Sequence, residues 1–187
     1  MDRRKKVLVD ALDDDDEHVR ATAAEALERL DMRERMPVFE RNLATGDKVT
    51  KLRTIYGISP LRGNDVLRLL VKAVKDPEED VRAAAVRELG NHGDTRVLST
   101  LVEALGDESP VVRRVAVEAI TRFREPKLLG YLMKMLKDRD PGVIERALEA
   151  IGRLGDKRAE EAMIYFTRKG RPAMKSLALK ALGLMEI

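Results

Sequence analysis

Few residues in this chain are of a type that does chemistry, and they are scattered. Cysteine is absent, which removes thiolate nucleophiles, disulfides and thiolate metal sites together. The two histidines, His18 and His92, lie far apart, and no Ser-His-Asp set forms around either. The acidic run Asp13 to Glu17 offers carboxylates to a cation but lacks the glycine and terminal glutamate of a calcium loop, so it reads as a solvated turn before a helix. Gly152 and Gly155, in IGRLGDKR, read as helix endings and not as a strand-to-helix phosphate loop. These residues name no catalytic group, no metal site and no cofactor. The one charge pattern that recurs is Asp14 with Arg20, Asp76 with Arg82, and Asp107 with Arg113, each pair six residues apart. A carboxylate in a turn and a guanidinium on the next helix suit a structural ladder, in which the aspartate reaches the arginine of its own or a neighbouring unit.

The elements that carry these pairs follow from composition and periodicity. The chain has 187 residues, 44% hydrophobic and only 3% aromatic, with 36 Lys and Arg against 33 Asp and Glu. That balance suits one helical domain. No apolar run reaches the roughly 18 residues of a membrane span. The N-terminus turns acidic after a short apolar stretch, unlike a secretory signal, and a cytoplasmic location is expected. A net charge of +3 does not by itself imply nucleic acid.

An apolar anchor recurs at Val19, Val49, Val81, Val112, Val143 and Met174. The nearly constant step, about 31 residues, falls in the range of helical-hairpin repeats. Before each anchor the apolar residues fall at helical spacing, as Val97, Leu98, Leu101, Val102 and Leu105 do, and a second amphipathic stretch follows it. Pro110, Pro141 and Pro172 each stand two residues before an anchor, where the first turn of a helix tolerates proline. Gly90 and Gly152 are expected to close the second helix of their units. Each unit is a helical hairpin whose aliphatic face must be buried by its neighbours. Six are expected, over 3–30, 34–60, 64–90, 95–123, 126–154 and 157–185, with twelve helices in a single domain spanning 1–187.

An acid, a Pro or Ser-Pro, Val-Arg and an alanine-rich helix ending in Leu-Gly, as in DPEEDVRAAAVRELG, DESPVVRRVAVEAI, DRDPGVIERALEAIG and DDDDEHVRATAAEAL, resembles the HEAT repeat. The likeness is to the short variety of the phycobilisome-lyase-like group. It weakens where Ile144 replaces the arginine, at Lys169 and Lys175, and in the second unit. The resemblance implies an all-α, right-handed α-solenoid whose second helices line a concave binding face. Iron-dependent hydroxylases of this scaffold would require repeated His-Glu pairs, whereas Val19 and Gly93 follow the histidines here. Base-excising members would require tryptophan, which this chain lacks.

The expected work is non-catalytic binding of another protein, as a scaffold, adaptor or regulatory subunit. Positions two and six after each anchor alternate in sign and form no basic stripe. Lys51, Ile55, Arg87, Arg114, Glu118 and Glu149 are the expected contact residues. Ile55, Tyr56 and Ile58 form either an interaction patch or a local repacking where Gly57 and Pro60 break the pattern. Two other readings remain open. Nucleic-acid binding would use Arg3 to Lys6 and the cluster Arg168, Lys169, Arg171, Lys175 and Lys180, and a heteromeric lyase subunit would need a partner to complete a site. The apolar last unit, ending on Leu184, Met185 and Ile187, either packs inward or pairs with a copy of itself.

Overall fold

A computed structural model describes residues 2–185; Ile187, expected in the apolar tail, lies outside them. Eleven α-helices and no strand occur among the described residues: α1 (Arg3–Asp10), α2 (Glu17–Thr45), α3 (Lys48–Ile58), α4 (Asn64–Ala73), α5 (Glu79–His92), α6 (Leu98–Glu103), α7 (Pro110–Thr121), α8 (Leu129–Met135), α9 (Pro141–Leu154), α10 (Glu160–Lys169) and α11 (Pro172–Leu182). Short 3-10 turns lead into α6, α8 and α10. The chain divides into two compact units, 1–47 and 48–187.

In the first unit, α1 packs on α2, and Lys5 is ion-paired to Asp31 and to Glu34. The helix α2 is continuous across 29 residues, through the turn expected after residue 30. Left-handed residues end later helices at Gly93 and Gly155, and the equivalent place two repeats before Gly93 is Asp31. Without a glycine there the chain has no inexpensive left-handed stop, and the helix continues. It even accommodates Pro37, which removes one helical hydrogen bond.

In the second unit, α4/α5, α6/α7, α8/α9 and α10/α11 are hairpins, and their second helices pack in a row, α3 on α5, α5 on α7, α7 on α9 and α9 on α11. The core repeats at the same interval. Ile58, Leu89, Ile120 and Ile151 stand one repeat apart and are fully buried, as are Ile55, Val86, Val117 and Leu148. Beside them runs a column of small buried residues, Thr54, Ala85, Ala116, Ala147 and Ala178. Small side chains let successive helices approach closely, and each large one fills the gap above its neighbour.

These columns correct the register of the second repeat. Thr50, not Val49, lies one full repeat before Val81, and Val49 is 61% exposed while Val81, Val112 and Val143 are buried. The shift by one position carries Ile55 and Ile58 into the core, so the second repeat holds a normal buried face and neither isoleucine belongs to a surface patch. Gly90 and Gly152 also differ from expectation. Both are buried inside their helices, and a Cβ on Gly90 would lie 2.7 Å from the Ala119 Cβ, one on Gly152 3.0 Å from the Ala181 Cβ. They are contact points between second helices. The actual stops are Gly93 and Gly155, with φ of 67° and 68°, and midway between them Arg124 adopts φ 50°.

Candidate functional site

Two edges and one face of the hairpin row carry polar side chains in repeating positions. On the edge where first helix turns into second, the arginine after the anchor donates to its own turn and to the next. Arg82 Nη1 donates to the carbonyls of Asp76 and Pro77, both at 2.9 Å, while Nε and Nη2 donate to Asp107 at 2.9 and 3.0 Å. Arg113 repeats this with the carbonyls of Asp107 and Glu108 and the carboxylate of Asp138. Lys51 takes the same place one repeat earlier, 2.7 Å from Asp76. The pairs Asp76–Arg82 and Asp107–Arg113 therefore meet through the aspartate's main-chain carbonyl, and the carboxylates belong to the neighbouring arginine or lysine. Arg20 likewise donates to the carbonyls of Asp14 and Asp15.

These groups are nearly desolvated, the side chains of Arg113 and Asp138 being 6% and 8% exposed. Burial works to raise the Asp107 and Asp138 carboxyls, but hydrogen bonds from Arg82 and Arg113 and from the amides of Ser109 and Asp140 hold both below their ordinary 3.8. The same bonds push both guanidinium groups up. The forks of Arg82 and Arg113 are spent on contacts within the fold, which suits stacking rather than reaction.

The opposite edge has its own clasp. Asp94 caps the turn before α6 and takes Arg96 on both oxygens, and Asp156 does the same with Arg158 before α10. Hydrogen bonds from these arginines hold both carboxyls down to about 2. His92 also lies here. It is half-buried, and Arg62, which can only donate, stands 3.1 Å from Nδ1. Burial first, and Arg62 second, push its imidazole below the ordinary value. It is a packed ring beside a buried Glu88, which accepts hydrogen bonds from Ser59 and Asn91. His18 is exposed, and among the described residues no three His, Asp or Glu gather into a metal-binding group.

The exposed face of the second helices is narrow. Between Val81 and Gly90 on α5, and between Val112 and Ile120 on α7, nearly every residue is buried, and Arg87 and Glu118 emerge one repeat apart, followed by the half-buried Glu149, so these three expected contact residues share one ridge. Tyr56 precedes them, 50% exposed, and Lys180 follows. Tyr56 was missed as part of the row because the register of its repeat was read one residue off. Arg114 is half-buried, its Nε bonded to the Pro110 carbonyl. Two of the expected contacts are corrected: Ile55 is fully buried, and the Lys51 ammonium is held in the ladder. Where the ridge meets the clasp edge, a depression of about 510 Å³ lies between α7 and α9, with Glu118, Arg122, Arg124, Glu125 and Arg153 around Leu128 and Leu132. Its charges are of both signs.

Toward the C-terminus, Arg168, Lys169, Arg171, Lys175 and Lys180 are all exposed. Leu179 and Leu184 are 61% and 62% exposed, since no further repeat covers α11 among the described residues, whereas Leu177 and Leu182 are half-buried. No helix of the described residues is long and apolar enough to cross a membrane.

Comparison with known proteins agrees with this architecture. A family model described as HEAT repeats matches residues 66–143. No curated protein matches by sequence. Among solved structures, the CpcE–CpcF complex of phycocyanin lyase from Nostoc sp. PCC7120 superposes with a TM-score of 0.67 at 18% identity, over 80% of this chain and 64% of that one. Human deoxyhypusine hydroxylase matches at 0.63 and 18% identity, over 83% of this chain and 64% of that one, so the chain spans just under two thirds of either protein. A designed armadillo repeat protein in complex with a (KR)4 peptide matches at 0.56 and 19% identity, over 98% of this chain and 100% of that one. Identities this low speak to fold alone. The chain carries HEAT repeats over residues 66–143, within an all-α repeat fold of the armadillo and HEAT kind.

Proposed function

We propose that this protein is a non-catalytic scaffold or adaptor that works in the cytoplasm and holds a protein partner on the ridge of its second helices. The observation that carries the reading is the row Tyr56, Arg87, Glu118 and Glu149, which stands at one-repeat spacing along the second helices, Arg87 and Glu118 emerging from buried stretches of α5 and α7. Such a row presents side chains at a fixed pitch on rigid supports, the geometry in which a few anchors dominate binding and charges set orientation. Mixed sign along it suits a protein partner better than a phosphate backbone, which needs like-signed side chains in succession. The armadillo neighbour holds a peptide and the lyase neighbour is a two-protein complex, which supports the same reading. The polar groups that resemble chemistry, the Asp–Arg ladder and His92, are occupied in structure and take no catalytic role in this proposal.

The second reading, nucleic-acid binding, draws on the exposed cations Arg168 to Lys180. Tagged protein is used to capture partners from extract with and without nuclease, beside the double variant Arg87→Glu/Glu118→Arg. A protein retained after nuclease and lost from the double variant supports the scaffold. Material that vanishes with nuclease and ignores the double variant overturns it in favour of nucleic acid. Self-association through α11 is read separately, as a shift to monomer on Leu179→Glu in sedimentation velocity.

A further inference from the structure

The ladder closes the turn edge between consecutive repeats at Lys51–Asp76, Arg82–Asp107 and Arg113–Asp138. One repeat on from the last pair stand Ile144 and Lys169. Both halves of the next rung are replaced, the cation by an apolar residue and the acid by a cation. The edge opens there into a groove of about 610 Å³ between the α8/α9 and α10/α11 hairpins. Its wall is Met133, Leu136, Ile144, Tyr165, Phe166 and Met174, the two aromatic rings meeting edge to face at 5.4 Å.

The rim is cationic. Lys137, Arg139, Lys169 and Arg171 surround the opening and are exposed, and Arg139 donates a long bond, 3.5 Å, to the Glu108 carbonyl. The nearby acids are engaged elsewhere, Asp138 with Arg113 and Asp140 with the Val143 amide that it caps. At α11 the capping position is Arg171, so no side chain accepts from the first amides of that helix, which add to the positive field. Gly170 lets the chain turn tightly against the end of α10: a Cβ there would lie 2.5 Å from the Phe166 carbonyl.

We infer that this groove is a docking site for an acidic peptide segment of a partner protein, with a bulky apolar side chain seated between Ile144 and Tyr165 and its flanking carboxylates on Lys137, Lys169 and Arg171. The inference rests on the protein-binding reading above and gives that reading the chemistry of one partner segment. The volume is within the few-hundred-Å³ range that holds a small ligand or a few side chains. Cations gathered around an apolar pocket fit a peptide with an anchor, whereas a nucleic-acid strand calls for cations continued along a track.

The test is fluorescence anisotropy with a labelled peptide, Glu-Asp-Glu-Phe-Asp-Leu-Glu-Asp, against the same peptide with Phe and Leu replaced by Ala, a labelled oligothymidylate of equal charge, and phosphatidylserine vesicles. The decisive variant is Ile144→Arg/Lys169→Asp, which restores the missing rung and closes the groove without unfolding the repeat. The Phe-Leu peptide is expected to bind at least tenfold tighter than the Ala peptide and the oligonucleotide, and to lose at least tenfold on the restored rung while the melting temperature holds or rises. Equal binding of both peptides, preference for the oligonucleotide or the vesicles, or unchanged binding by the restored-rung variant overturns the inference. Arg87→Glu/Glu118→Arg, which leaves the groove intact, separates the two readings. Loss of partner capture on that variant without any peptide binding to the wild type sinks the groove and leaves the ridge standing.

Discussion

Arg113 grips Asp138, 25 residues further along the chain, with two parallel hydrogen bonds of 2.8 Å, Nε to Oδ2 and Nη2 to Oδ1. The remaining Nη1 serves the carbonyls of Asp107 and Glu108, so one guanidinium fastens its own turn and the following one. Arg82 and Arg113 thereby tie their repeats to the following ones by planar forks, which Lys51, one repeat earlier, reproduces only as a point charge.

Removing one side of this pair leaves a nearly buried charge without its counterion. Arg113→Ala is expected to cost about 3–5 kcal/mol, whereas replacing Arg113 and Asp138 together by Met and Leu costs far less. Urea denaturation curves for the single and double variants check the difference.

The ladder also sets an acid limit. Asp107 and Asp138 have folded values below 3.8, so their contribution to stability is fully present above that value and is lost as pH falls through the lowered ones. The wild type should lose melting temperature as pH falls below 3.8 more steeply than Asp107→Asn/Asp138→Asn, which has nothing left to protonate at these positions. Melting followed by circular dichroism across that range reads the two slopes.

Arg124 holds a left-handed conformation at φ 50° where the equivalent positions of the two neighbouring repeats are Gly93 and Gly155. Arg124→Gly removes a steric cost of about 1–2 kcal/mol, less the extra entropy of glycine in the unfolded chain. A net rise of about 2–4 °C in melting temperature is expected for a chain of this size if the net gain is about 1 kcal/mol. Arg124→Val should lower it, since a β-branched residue tolerates positive φ worst.

Two glycines inside helices should respond in opposite ways to alanine. Gly90→Ala drives a methyl into Ala119 and should cost about 1–3 kcal/mol through overpacking. At Gly57 nothing lies within 4 Å of the new methyl, so Gly57→Ala should gain about 0.5–1 kcal/mol from helix propensity. Chemical denaturation of the two variants side by side reads the sign of each.

The hairpins from α4 to α11 were legible because each pairs an apolar stripe at helical spacing with a turn of Asp, Pro or Ser. The second repeat was read one residue out of phase, since Val49 is the more hydrophobic candidate for an anchor that Thr50 occupies. That slip placed Ile55 on the surface and hid Lys51 as a rung of the ladder. Of the candidate site, the shared row of Arg87, Glu118 and Glu149 was legible from position in the repeat alone. The groove beside Ile144 was visible only as a weak match to the pattern.

What the sequence determined by itself was an all-helical chain of hairpins repeating at a nearly constant step, because helix formation and the direction of an apolar stripe depend on residues within a few turns of one another. Only the tertiary structure decided which aspartate each arginine takes, which glycines are stops and which are contacts, and where the edge opens. Those outcomes turn on distances between helices that lie a whole repeat apart in the chain, and a single side chain, such as Ile144 in place of an arginine, closes or opens a gap that no local pattern records.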